Sequence, residues 1–318
     1  MDKRNLDDID LAKGLGIILV IMGHSLFPLH VALDIFHMPL FFFIAGLIFS
    51  FKGKEVISDV ILGKVDRIFI PLCFFTALSG FLELFLTKVG NGPFNGPLWF
   101  LQVFFQCLII YYLIDFFVSK AAIKHVIVVF LSLFAFVLAR FDIKLFLNLD
   151  LSFMALSFLH LGYLLKDKYR SMKISQTLIV LVLSVLLYLI GLFYSIELGL
   201  KEGSSFLSRI YKYSFVLFYV TSLSGIFVIL TVSKLIKKVY LVNYLGKNSL
   251  IILCVHFPLI ERLNDRVATL DLYHESIQGK LILACMVNSI TIVFSILCIE
   301  FFSKYLPRLT GYKSAFKV

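Results

Sequence analysis

Apolar windows of about 20 residues recur along almost the whole chain, and a run of that length crosses a hydrocarbon core of about 30 Å only as a helix. Ten are read: 9–29, 34–51, 67–87, 97–117, 123–139, 147–165, 176–196, 211–232, 247–262 and 279–302. The sixth is interrupted by Asn148 and Asp150, and the ninth is short. Composition agrees: 60% of the 318 residues are hydrophobic, 16% are charged, and the mean hydropathy is +0.96. Soluble domains carry about 25% charge. A chain with so little polar surface cannot cover itself against water, so a soluble enzyme is excluded. No long polar stretch or repeat divides the windows. The expected fold is all-α, a polytopic integral membrane bundle of about ten transmembrane helices in a single membrane-embedded domain, 1–318.

The basic residues alternate between sides. With the N-terminus inside, Lys3, Arg4 and Lys13, then Lys52, Lys54, Lys64 and Arg67, and four later clusters all fall on the cytoplasmic face. That face receives about two-thirds of the 30 Lys and Arg, which predicts an even number of spans with both termini cytoplasmic. The net charge of +10 is therefore an orientation signal. No basic run interleaved with aromatics lies outside the apolar windows, so nucleic acid is not expected as a partner. The five cysteines all lie within apolar stretches without metal or redox spacing, and the histidines form no ligand pair; neither a disulfide framework nor a metal is expected. The first window lacks a small-residue cleavage site and reads as an uncleaved span.

Lys13 and His24 stand eleven residues apart in that first window. Helical geometry puts them within about 20° on one face and roughly 16 Å apart along the axis, with Asp10 about 40° to the other side of His24. Gly14, Gly16 and Gly23 let another helix or a ligand come close. Lys13, at the cytoplasmic boundary, reads equally as a snorkelling, orientation-setting lysine. His24 lies in the outer half. An ionisable group there is costly and usually faces a cavity or partner, and imidazole is the common general base near neutral pH. The second window opens Asp34-Ile-Phe-His37-Met38-Pro39. Proline suits a first helical turn, so His37 starts this span and a short connection returns it to the depth of His24. An interfacial hydrogen-bonding role accounts for His37 as well.

The stretch from Asp10 to Phe49 resembles the N-terminal signature of acyltransferase family 3 membrane proteins, especially the fucose 4-O-acetylase-like branch. That signature has a basic residue, ten spacers and a histidine, then a segment like Phe-His-Met-Pro-Leu-Phe-Phe-Phe-x-x-Gly; Lys13 to His24 and Phe36 to Gly46 fit it. Lys13 stands where the family often has Arg, and Ala45 where Ser is common. In order follow Lys64-Val-Asp-Arg67, Gly96-Pro97-Leu98-Trp99 and a late segment, Gly246 to Pro258, with His256. The likeness is specific over 10–50 and looser beyond.

The resemblance implies a multi-pass O-acyltransferase of the cell (inner or plasma) membrane. It would move an acyl group, most often acetyl, from cytoplasmic acyl-CoA to a carbohydrate hydroxyl of a cell-surface or secreted glycan. His24 would deprotonate the acceptor or carry the acyl group briefly, and His37 would orient His24 or stabilise charge on the carbonyl. Lys13, Lys64 and Arg67 would hold the CoA phosphates; Asp10, Trp99, Gln102 and His256 would meet the acceptor. Acyl-CoA (acetyl-CoA) is then a donor substrate, with no permanently bound cofactor. The expected partners are acyl-CoA, the carbohydrate and the lipid bilayer, with a homo-oligomer left open. Plainer readings stand beside these. Lys64 and Arg67 serve orientation alone, Trp99 belongs to the aromatic belt, and Gln102 with Gln106 bonds between helices. The alternative function is a transporter or exporter of a glycan or lipid-linked sugar, with the histidines as a proton relay. A third is a structural partner in a cell-envelope assembly.

Overall fold

The computed structural model describes residues 7–50, 57–85, 96–198, 205–270 and 276–313. Lys3, Arg4, Lys52 and Lys54 lie outside them. Among the described residues the protein is all-helical, 84% helix, with no strand. In chain order the helices are α1 (Asp7–His24), α2 (His30–Asp34), α3 (His37–Ile48), α4 (Ile57–Lys64), α5 (Ile70–Phe85), α6 (Trp99–Phe117) and α7 (Ala121–Arg140). Then come α8 (Leu149–Ser171), α9 (Ile174–Glu197), α10 (Phe215–Ile236), α11 (Tyr240–Lys247), α12 (Ser249–Val267) and α13 (Ile277–Tyr305). A π-helical turn, Val65–Phe69, joins α4 to α5.

Among the described residues, seven helices are long and apolar enough to cross a membrane: His30–Ile48, Gly96–Phe117, Ala121–Arg140, Phe146–Ser171, Ile174–Glu197, Phe215–Ile236 and Ile277–Tyr305. Seven of the ten expected windows thus become spans by length and composition. The other three fall on helices that do not qualify, for two physical reasons. α5 has only 16 residues. α1 opens with Asp7, Asp8, Asp10 and Lys13, and α12 closes with Glu261, Arg262, Asp265 and Arg266, so each carries charge into its own length.

The chain divides into two compact units. The first comprises Met1–Gly16, Val31–Phe51 and Gln106–Lys247. Its centre is the packing of α3 on α8. With lipid as solvent there is no gain from removing apolar surface from water, so helices associate through van der Waals fit and small residues. Gly46 and Gly162 supply that fit. A Cβ on Gly46 would lie 2.0 Å from the Leu159 carbonyl oxygen, and one on Gly162 would lie 2.1 Å from that of Phe43. Around this crossing Leu40, Phe42, Phe43, Leu156 and Phe158 are fully buried. α9 buries only Thr177, Ser184 and Gly191, seven residues apart, and packs against α10 with Gly191 beside Thr221. Its other faces expose Ile179, Val182 and Leu186, as suits a lipid-facing helix.

The polar interruption noted at Asn148 and Asp150 has a partner. Asp150 is fully buried, and Arg209 donates to both its oxygens, Nε at 2.7 Å and a terminal nitrogen at 3.1 Å. The Leu145 backbone N–H also donates to Asp150, at 3.1 Å, and Arg209 reaches the Asn148 amide oxygen at 3.3 Å. A buried carboxylate is tolerable only when paired and saturated in this way.

The second unit comprises Ile17–His30, Lys52–Phe105 and Asn248–Val318. α12 packs on α13, and α5 meets α13 through Phe75, whose ring lies edge-on to Phe302 at 5.3 Å.

Candidate functional site

The second unit holds a pair of histidines that face one another. His24 closes α1, and its ring lies 5.4 Å from that of His256 on α12, tilted by 44°. Phe257 meets His24 edge-on at 5.2 Å. Two α12 turns further on, the Asn264 side-chain N–H donates to the His24 carbonyl at 2.9 Å. His24 ends its helix, so that carbonyl has no partner within the helix, and Asn264 supplies one. His256 is fully buried, and its Nδ1 lies 2.9 Å from the Ile252 carbonyl, four residues back. A carbonyl only accepts, so Nδ1 carries the hydrogen of this bond. Pro258 follows inside the helix and cannot donate to the Cys254 carbonyl.

Trp99 and Gln102 belong to the same unit. The turn Gly96–Leu98 leads into α6 and comes against Phe257, which a Cβ on Gly96 would meet at 3.7 Å. Pro97 and Leu98 are buried, while Trp99 and Gln102 are half-buried on the first turn of α6. Gln106, one turn later, belongs to the first unit and is committed to structure. It accepts from the Ser152 hydroxyl at 2.7 Å and donates to the Leu147 carbonyl at 3.2 Å.

His37 lies in the first unit, 4% exposed, with Nδ1 2.7 Å from the Leu33 carbonyl and 3.6 Å from an Asp34 oxygen. Its segment is pinned from α10. The Ser222 hydroxyl donates to the Ile35 carbonyl at 2.9 Å, and Phe36 fills the space over Gly225. Asp34 was not singled out from sequence, although its i,i+3 spacing to His37 could have flagged it. Nothing local marked Phe257 or Asn264 as neighbours of His24.

Lys13 and Asp10 also lie in the first unit, paired at 2.6 Å, with Lys247 4.0 Å from the other Asp10 oxygen. α11 presses backbone to backbone here. A Cβ on Gly14 would strike the Val242 carbonyl at 2.0 Å, and one on Gly246 the Asp10 carbonyl at 1.9 Å. Asp10 therefore serves the charges around Lys13, at the opposite end of α1 from His24.

Lys64 and Arg67, in the second unit, flank and occupy the π-helical turn. Pro71 explains the turn: it has no N–H for the Arg67 carbonyl, and its ring would clash with that oxygen in a regular helix. The ladder slips instead, so the Ile70 N–H bonds the Val65 carbonyl five residues back. Gly311, at φ +77°, lies over the Arg67 backbone, and a Cβ there would be 3.0 Å from the Arg67 oxygen. Lys64 is half-buried, while Arg67 is exposed.

A family model described as an acyltransferase domain, that of acyltransferase family 3, matches residues 6–300. Neither the curated proteins nor the solved structures give a match. The matched stretch runs from the start of α1 into α13 and takes in both histidines of the α1–α12 pair, and on that coverage the chain belongs to the membrane acyltransferases of family 3.

Proposed function

We propose that this membrane acyltransferase moves an acyl group, most often acetyl, from cytoplasmic acyl-CoA to a carbohydrate hydroxyl of a cell-surface or secreted glycan, as in the fucose 4-O-acetylase-like branch. The observation that supports it most is the contact of His24 with His256 in the unit that also carries Trp99 and Gln102. The acceptor oxygen attacks the thioester carbonyl while His24 takes the hydroxyl proton. The tetrahedral intermediate collapses, the C–S bond breaks, and the sulfur leaves with the bonding electrons. His24 returns the proton to that sulfur, so an ester and a free CoA thiol are formed and the imidazole is restored. General base and acid work of this kind contributes about 10²–10⁴ in rate. His256, oriented by its hydrogen bond to Ile252, steadies the positive charge that His24 gains. Trp99 offers a ring to the sugar and Gln102 an amide to its hydroxyls, while Lys64 with Arg67 in this unit, or Lys13 in the other, receives a CoA phosphate.

Counting α1, the α4–α5 helix and α12 as short or charge-bearing spans restores ten crossings. Both termini are then cytoplasmic in the cell membrane, and 1–318 acts as one acyltransferase domain. The test is sidedness in oriented proteoliposomes. Acyl-CoA supplied on the Lys13 face, with glycan on the other, should release free thiol; donor supplied only on the glycan face should release none. Equal release from either face overturns the arrangement, and glycan movement without thiol release turns the reading to an exporter.

A further inference from the structure

In the first unit the last turns of α3, α8 and α10 and the first turn of α1 surround a recess of about 350 Å³. That is within the size range of small-molecule sites, about 300–1,000 Å³, and far above the roughly 30 Å³ of one water. Its polar wall is Asp7, Asp8, Lys166, Arg170, Lys234 and Lys237, four cations against two carboxylates.

Both carboxylates are already engaged. Asp8 accepts from the Ile9 N–H at 2.9 Å and from the Tyr169 hydroxyl at 3.0 Å, and Asp7 faces Lys238 at 3.4 Å. Lys234 caps α8 by donating to the Tyr169 and Arg170 carbonyls, with its ammonium 4.5 Å over the Tyr169 ring. This offsets the partial negative charge that a helix C-terminus would turn toward an anion. Lys166 stands 4.4 Å over the Tyr163 ring, which leaves its charge in place. Arg170 reaches the Leu47 carbonyl only at 3.5 Å and Asp167 only at 3.9 Å, so its guanidinium fork keeps strong donors to give.

We propose that this recess binds a phosphate group, carried either by the nucleotide end of the CoA donor or by the headgroup of an anionic phospholipid. A forked guanidinium among point-charge ammonium groups matches phosphate geometry. The CoA source rests on the function proposed above; the lipid source does not.

The test uses the full chain in neutral phosphatidylcholine nanodiscs, titrated with CoA by calorimetry, and separately the phosphatidylglycerol retained on purification, read by native mass spectrometry. The double variant Arg170→Gln, Lys237→Gln changes two exposed side chains; Lys168→Gln, exposed on α8 outside the recess, is the control. The double variant should weaken CoA binding about tenfold or more, the loss expected for one charge-assisted hydrogen bond, and flatten its salt dependence. Alternatively it should keep CoA affinity and lose the retained phosphatidylglycerol, which makes the headgroup the occupant. A double variant that binds both like wild type, a control that behaves like the double variant, or a wild type that binds neither overturns the site. A wild type that holds phosphatidylglycerol through the recess but never binds CoA sinks the donor reading and keeps the recess.

Discussion

Each unit contains two histidines in contact, and the two pairs are built differently. In the first unit His125 Nδ1 and His160 Nε2 lie 2.6 Å apart, and His160 Nδ1 meets the Tyr111 hydroxyl at 2.9 Å. Both nitrogens of His160 are spent on neighbours from α7 and α6, so the residue is a joint between three helices. In the second unit the rings of His24 and His256 lie 5.4 Å apart, and His24 is anchored to α12 through its backbone carbonyl. That anchor acts through the backbone of His24, where the first pair is joined through its rings. Nearness of two histidines is therefore a poor mark of chemistry; what distinguishes the pairs is how each is held.

The largest effect should follow His24→Ala. Turnover in proteoliposomes should fall about 10²–10⁴-fold while the melting midpoint in detergent stays near wild type. Near-normal turnover would erase the distinction between the pairs. Next, Gly46→Ala should test the first unit as scaffold. Its Cβ would land 2.0 Å from the Leu159 oxygen, and overpacking of that kind costs about 3 kcal/mol. The midpoint should drop, with turnover per folded molecule unchanged. His160→Ala should be milder, about 1–3 kcal/mol for the buried hydrogen bonds removed, again without a turnover loss. If His160→Ala instead mimics His24→Ala in turnover, the first pair is more than a clasp.

The smallest effect belongs to Asp142→Asn at the edge of the first unit. Lys212 donates to Asp142 at 2.7 Å and holds its carboxyl below the usual carboxylate range. Any stabilisation is thus present above the ordinary carboxylate pKa and fades as pH falls through the lowered one. Asp142 is exposed, so water screens the pair. At neutral pH the midpoint should not move measurably, and a clear shift would give this edge a structural weight comparable with the clasp.

Seven spans were legible because uninterrupted apolar runs of that length have one solution in lipid. The helices of α1 and α12 were legible as windows, but their terminal charges keep them from counting by composition. His24 was singled out as an ionisable group inside an apolar window, where charge is costly. His256 was named through the resemblance, but its contact with His24 was not legible: the two are far apart in sequence, and only packing of α1 against α12 joins them. The His125–His160 joint left no local trace for the same reason. Lys166, Arg170, Lys234 and Lys237 were read only as orientation charges, since a recess shared by four helix ends has no linear signature. The slip at Val65–Phe69 did have one, a proline four residues after Arg67.

That slip has a consequence for everything downstream in its helix. A π-helical turn takes in one residue more than the α ladder would, so the azimuth of each later side chain is offset by about 100°. A helical wheel drawn at constant step from Lys64 would turn Phe75 away from Phe302, against which it is buried. Deleting one residue between Val65 and Phe69 would remove that same offset and leave Phe75 in place, whereas Pro71→Ala, by letting a regular ladder form at unchanged length, would rotate the α5 face and unseat Phe75.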